Sequence, residues 1–299
     1  MKNVLNCTQF TKEELEEILS LASEIKKDPK KYSEHLNGKI VATLFYEPST
    51  RTRLSFESAT QRLGGYIIST ENAKEMSSSV KGETLTDTIR VLNGYSDVIV
   101  MRHSEDNSSE VAASVATVPI INAGAGKGEH PTQALLDIFT IREKKGTLDN
   151  LKVAVIGDLL HGRTINSLVK ILSIYDNVTV YGLSRSSLKI AKETLEYIKG
   201  KNIKYIECSS FEEIPKNTDV LYNTRTQLER FSEFESKEEE YIIDKALLDT
   251  FSKDSIVLHP LPRNKEIAVD VDNDPRALFF EQAHNGVFIR MALLIKVFE

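Results

Sequence analysis

The sequence predicts an α/β protein of two doubly wound parallel-sheet domains with the active site in the cleft between them. Three observations carry this expectation. Short apolar, β-branched runs alternate with helical periods along the chain. The alternation restarts at "DNLKVAVIGDL", residues 149–159. Polar and cationic residues recur just after the strand-like runs, at the edge where such sheets bind ligands.

The elements follow in order. "TKEELEEILSLASEIKK" opens with Thr11 and Glu14 at capping-box spacing and sets Leu15, Ile18, Leu19, Ala22 and Ile25 on one face, which predicts a surface helix. "KIVATLFY" is a strand stopped by Pro48. Phe56, Ala59 and Leu63 then recur at helical spacing until Gly64 and Gly65 end the helix. "YIIS", "DVIVM" and "VPIINAG" read as strands; "ETLTDTIRVLNGY", with Leu85, Ile89 and Leu92 inward, and "SSEVAASVA" read as helices. The longer helix "HPTQALLDIFTIREKKG" leads into a second series with strands "KVAVIGDL", "VTVYGL", "IKYIEC", "DVLYNT" and "SIVLHP". Strand–helix alternation of this kind implies parallel sheets. The charged stretch "SEFESKEEEYIIDKALLDTF" reads as a solvated region and a helix.

Composition narrows the function. The 299 residues carry 38 Lys+Arg against 44 Asp+Glu, a net charge of −6, which disfavours nucleic acid and suits cations gathered around a small anionic ligand. No apolar run approaches the roughly 18 residues of a membrane span, and "MKNVLNCTQFTKEE" lacks the apolar region of a signal peptide, so a cytoplasmic protein without a membrane partner is expected. Cys7 and Cys208 have no CxxC companion; they predict packing roles rather than a disulfide framework or a metal site.

Ser49, Thr50, Arg51, Thr52 and Arg53 fall at a strand-to-helix turn. Hydroxyls, free N–H groups and a guanidinium fork there suit a phosphate, while an N-cap followed by surface arginines is the plainer alternative. Ser77, Ser78, Ser79 and Lys81 lie in "SSSVKGE", which also reads as a flexible loop. Arg102 and His103 follow "DVIVM", His130 and Gln133 open the long helix, Arg163 and Thr164 follow "KVAVIGDL", Arg225 and Gln227 follow "DVLYNT", and "HPLPR" follows "SIVL". Each set alone is ordinary for a strand end. Together they imply one wide, positively charged cleft.

The motifs "STRTRLSFESA", "SSSVKGETLTDTI", "VMRH", "NAGAGKGEHPTQALLDIFTI", "GDLLHGRT", "TRTQLER" and "HPLPR", in this order from residue 49 to residue 263 and with "AHNGVFIRMALL" after them, resemble the aspartate/ornithine carbamoyltransferase family. "TRTQLER" and "HPLPR" are similar to its aspartate branch. The resemblance implies transfer of the carbamoyl group of carbamoyl phosphate to the amino group of L-aspartate, an early step of pyrimidine (UMP) biosynthesis, without a cofactor or metal. It implies a carbamoyl-phosphate domain of residues 1–132 and 286–299 and an aspartate domain of residues 133–285. By position, Ser49, Thr50, Arg51 and Thr52 match phosphate ligands, and Arg102 matches the arginine spanning phosphate and carbonyl oxygen. Thr52 and His130 match the other donors to that oxygen, and Gln133 matches the glutamine facing the carbamoyl amide. Arg163, Thr164, Arg225 and Gln227 match aspartate ligands; Pro260 and Leu261 match a turn whose carbonyls face the amino groups. Ser77 and Lys81 match a loop given to a neighbouring subunit's carbamoyl phosphate and aspartate, within a homotrimer with shared sites that leaves room for a separate regulatory chain. Arg51, Thr52, Arg102 and His130 would be catalytic, His130 as hydrogen-bond donor in preference to general base. Val80 departs from relatives that carry a second lysine there.

Rivals fit less well. The ornithine branch's H-C-L-P turn and tryptophan-containing loop are absent. "VAVIGD" continues "LLHGRT" without the dinucleotide fingerprint, and "GAGKG" has Ile121 and Gly128 where a P-loop needs Gly and Ser or Thr. A non-enzymatic anion sensor would use the arginines but has no need of His130.

Overall fold

In the first half of the chain four apolar runs pair as one parallel sheet: β1 (Ile40–Phe45), β2 (Tyr66–Glu71), β3 (Val98–His103) and β4 (Ile120–Ala125), in the order β2-β1-β3-β4. The computed structural model describes residues 2–126, 128–225 and 241–299. Helices cover both faces, which is why β3 and β4 are apolar through most of their length rather than alternating. Val4 adds a parallel bridge to Ile121 beyond β4.

Helix α1 (Lys12–Lys27) forms as its capping box requires. The Glu14 N–H donates to Thr11 Oγ1 at 3.2 Å and the Thr11 N–H to Glu14 Oε2 at 2.9 Å, and all five expected apolar positions are buried. In α2 (Thr50–Arg62) Phe56 and Ala59 are buried, as is Leu63 just beyond; Gly64 (φ +81°) ends the helix, and a Cβ there would lie 2.3 Å from the Ser33 carbonyl oxygen. The "SSSVKGE" segment is not an irregular loop: α3 (Ala73–Met76) and a 3-10 turn (Ser78–Lys81) organise it. In α4 (Leu85–Leu92) Ile89 is buried, with Leu85 and Leu92 half-buried against the same cluster. Then come α5 (Ser108–Val115) and α6 (Pro131–Lys145).

The second series pairs β5 (Lys152–Ile156), β6 (Val178–Leu183), β7 (Ile203–Cys208), β8 (Val220–Asn223) and β9 (Ile256–Leu258) in the parallel order β7-β6-β5-β8-β9. Helices α7 (Arg163–Leu172), α8 (Lys192–Ile198) and α9 (Lys245–Leu248) accompany it, and α10 (Phe279–Phe298) begins there. Ala154, Ile156, Leu221, Val257 and Phe279 belong to its core, each large side chain contributing about 1.5–3 kcal/mol on burial. Cys7 and Cys208 are free and buried.

Backbone contacts divide the chain into two units, Met1–Leu135 with His284–Glu299, and Leu136–Ala283. The last part of α10 packs in the first unit. There the Arg290 guanidinium lies 5.0 Å from the centre of the Phe56 ring and Lys296 pairs with Glu17 at 3.2 Å. Among the described residues no helix is long and apolar enough to cross a membrane.

Candidate active site

A doubly wound sheet binds at the point where strand order reverses, outside the carboxyl ends of the two strands flanking it. In the first unit those strands are β1 and β3, and the predicted phosphate residues follow them. Phe45 lies opposite Arg102 in the register, and the Tyr46 N–H donates to the Arg102 carbonyl at 2.9 Å. The turn carrying Ser49, Thr50, Arg51 and Thr52 therefore starts beside Arg102. Ser49 is the N-cap of α2, yet its side chain makes no capping bond, so the plain N-cap alternative does not account for its hydroxyl. No acidic residue occupies the first turn of α2. The helix dipole and free N–H groups remain positive there.

Burial pushes the Arg102 guanidinium down from its ordinary pKa; Glu47, 3.4 Å from Arg102 Nε, opposes that shift, and the like charge of Arg51 adds to it. Arg51 and Arg102 thus share one electrostatic neighbourhood. Glu47 was missed in the sequence, although a carboxylate one residue before Pro48 amid cations is a readable signal. Beside Arg102, His103 is buried, packs at a tilt against Tyr46 with ring centres 4.4 Å apart and accepts the Glu105 N–H at Nδ1.

The β4–α6 loop returns to this edge, where the Gly126 N–H donates to the His103 carbonyl at 2.9 Å. Asn122 Nδ2 donates to the Leu5 carbonyl at 2.7 Å, and the Cys7 N–H donates to the Glu129 carboxylate, so the N-terminal segment ties down the loop that ends at His130. His130 is buried just ahead of Pro131, with Nδ1 3.4 Å from Thr132 Oγ1; its carbonyl accepts the N–H of Gln133, also buried, at 3.0 Å. Ser77 and Lys81 follow β2, the outer strand of the sheet, and Lys81 is exposed.

In the second unit the order reverses between β5 and β8. Arg163 and Thr164 open α7 after β5, with Gly162 as N-cap; Arg225 follows β8. The turn before α7 is held by Asp158, whose Oδ1 accepts the His161 N–H at 2.9 Å, and by Asn166 Nδ2, which donates to the Gly162 carbonyl at 3.2 Å. Pro260 and Leu261 follow β9. Leu261 adopts a left-handed φ of 55°, and its N–H donates to His259 Nδ1 at 2.8 Å. His259 Nε2 meets Glu266 Oε1 at 2.8 Å; burial disfavours the Glu266 carboxylate, but this bond and backbone N–H groups hold its pKa below the usual value. Gln227 lies outside the described residues.

Two strand-end arginines do not line an anion site. Arg53 pairs with Glu57 at 3.0 Å and Glu71 at 2.9 Å, and Arg263 pairs with Asp272 while stacking 4.9 Å from the Phe279 ring centre. Their charges are spent on the scaffold. Among the described residues no cluster of His, Cys, Asp or Glu could hold a metal ion.

Comparisons with known proteins point to one family. The carbamoyl-P binding domain of aspartate/ornithine carbamoyltransferase matches residues 2–143, and the Asp/Orn binding domain matches residues 149–297. The chloroplastic aspartate carbamoyltransferase of Arabidopsis thaliana is 50% identical over 98% of this chain and 77% of its own length. Among solved structures, the catalytic subunit of M. Jannaschii aspartate transcarbamoylase is 46% identical with a TM-score of 0.91, covering 99% of this chain and 98% of its own. Aspartate transcarbamoylase from Trypanosoma cruzi in complex with carbamoyl phosphate and aspartate is 40% identical with a TM-score of 0.93, covering 99% and 96%. The chain belongs to the aspartate/ornithine carbamoyltransferase family.

Proposed function

We propose that this chain transfers the carbamoyl group of carbamoyl phosphate to the amino group of L-aspartate, giving N-carbamoyl-L-aspartate and phosphate for de novo pyrimidine biosynthesis. The observation that carries the reading is that both strand-order reversals bear the expected cations. Arg51 and Arg102 stand at one, and Arg163 and Arg225 at the other. One set suits a phosphate and the other a dicarboxylate.

In this reading residues 1–132 and 286–299 bind carbamoyl phosphate and residues 133–285 bind aspartate. Ser49, Thr50, Arg51, Thr52 and Arg102 hold the phosphate through charge-assisted bonds of about 1.5–3 kcal/mol each. Thr52, Arg102 and His130 donate to the carbonyl oxygen, where negative charge grows as the amine attacks; fixed donors there lower the barrier. Gln133 and the Pro260 and Leu261 carbonyls orient the amide and the amine. Arg163, Thr164, Arg225 and Gln227 bind the aspartate carboxylates. The departing phosphate takes the amine proton, so no covalent enzyme intermediate is needed. Ser77 and Lys81 come from a neighbour in a homotrimer, to which a separate regulatory chain could bind. A cytoplasmic setting is part of the same reading, supported by the two free cysteines.

The test is phosphate and carbamoyl amino acid release from carbamoyl phosphate with L-aspartate, run beside L-ornithine. Turnover with aspartate alone is expected. Turnover with ornithine instead would overturn Arg163, Arg225 and Gln227 as carboxylate ligands, and none with either would favour the anion sensor.

A further inference from the structure

Asp137 lies within the apolar helix α6 and is wholly buried. A buried carboxylate is costly unless donors converge on it. Here Gln282 Nε2 donates to Oδ1 at 2.6 Å and the Tyr222 hydroxyl to Oδ2 at 2.9 Å. Both donors are buried as well.

The bonds continue in both directions. Gln282 Oε1 accepts the His259 N–H at 2.9 Å, which fixes the amide so that its Nε2 faces Asp137. His259 Nδ1 in turn accepts the Leu261 N–H at 2.8 Å, so the ring carries its proton on Nε2, toward Glu266. On the other side Thr164 hydrogen-bonds the Tyr222 hydroxyl. The Tyr222 proton is committed to Asp137, so Thr164 is the donor. Apart from the His259 Nε2–H, which turns aside to Glu266, every donor along the chain points toward Asp137, and its two ends are Thr164 and Leu261, both assigned to substrate.

We propose that Asp137 is a positioning residue that, through Tyr222 on one side and Gln282 and His259 on the other, fixes the start of α7 and the Leu261 turn relative to each other for the amino acid substrate. The inference rests on the aspartate reading of these two segments. It explains why a carboxylate is kept where an apolar side chain would pack: it accepts from both donors as they stand. Burial and the Asp137 charge also push the Tyr222 phenol well above its ordinary pKa, so it stays a donor at physiological pH.

The test compares Tyr222→Phe, Asp137→Ala and Asp137→Asn with the wild-type chain by KM for each substrate and by Tm. Tyr222→Phe removes one oxygen and keeps the ring in the core. It is expected to raise KM for aspartate about tenfold while KM for carbamoyl phosphate stays within about twofold. Asp137→Ala should do more. Asp137→Asn should recover most of the loss, because its amide still accepts from Gln282 and can donate to a reversed Tyr222 hydroxyl. If Tyr222→Phe lowers Tm but leaves KM for aspartate unchanged, Asp137 is only structural and the proposal falls, even if Asp137→Ala fails to fold. A wild-type chain that does not turn over aspartate removes the substrate reading and this inference with it. Turnover in the wild type with unaltered variants removes this inference alone.

Discussion

Gly157→Ala should damage aspartate use through a displacement that can be calculated. Gly157 follows β5 with φ +109°, and a Cβ built on it lies 2.2 Å from the Thr224 carbonyl oxygen. Ordinary contact begins at 3.4 Å, so the Thr224 backbone must retreat by about 1.2 Å. Thr224 cannot yield freely, because its own N–H is bonded to the Ile156 carbonyl at 2.9 Å. The next residue is Arg225. A shift of about 1 Å in a substrate-positioning group can cost on the order of 10²-fold, so kcat/KM for aspartate should fall by roughly that factor, with KM for carbamoyl phosphate little changed. Stability should fall by about 2–5 kcal/mol, from a left-handed alanine and overpacking together. Gly182→Ala is the control. Its Cβ would lie 1.9 Å from the Tyr205 hydroxyl, the far end of a side chain that can swing away, so Tm should drop without a change in aspartate kinetics. Steady-state kinetics and thermal denaturation of both variants decide the matter. A folded Gly157→Ala chain with aspartate kcat/KM within threefold of wild type would refute the reasoning.

Other expectations follow from the site. His130→Ala should lower kcat by about 10²–10³ while weakening carbamoyl phosphate binding far less; an unchanged kcat in steady-state assays removes His130 from the mechanism. On the proposed shared sites, mixing Lys81→Ala and His130→Ala chains and reassembling them should restore activity, since some interfaces then combine two intact contributions; a dead hybrid argues against shared sites. Burial lowers the His103 pKa, with Glu105 and Glu47 opposing and Lys74 adding to the shift. The unfolded chain therefore binds this proton more readily, and the neutral ring's contribution to stability is fully present above about pH 6.5 and is lost as pH falls through the folded value. Tm measured from pH 8 to pH 5 should fall less steeply in His103→Gln than in wild type, and parallel curves would show that His103 does not carry the dependence.

The sheets, and where the candidate residues fall along them, were readable because their signals are local. Thr11 and Glu14 stand three residues apart, Leu15 to Ile25 keep one helical period, and Ser49 to Thr52 follow directly on a β-branched run. What escaped depends on partners far along the chain. Arg53 looked available until β2 brought Glu71 to it, and Arg263 until Asp272 closed on it. The helices α7 and α8 were not singled out: α7 begins within a motif read for its cations, and α8 has only seven residues. Asp137 was passed over as one letter of "ALLDIFTI", although a lone carboxylate inside an apolar helix is itself a hint of buried donors. Periodicity reports which face a residue occupies. It does not report which side chain arrives from residue 222 or 282.

The discontinuous first unit has a consequence for how the protein is made. Residues 136–283 leave the ribosome as an unbroken stretch and can complete their sheet without waiting for later sequence. The first unit cannot. Its final helical segment, including the Arg290 that covers Phe56 and the Lys296 that reaches Glu17, is translated only after the whole second unit. At about 5–20 residues per second the earlier part stands for roughly seven to thirty seconds with that face open to solvent. Chaperone occupancy during synthesis should therefore concentrate on residues 1–135, and a nascent chain stalled short of residue 284 should hold a finished second unit and an unfinished first.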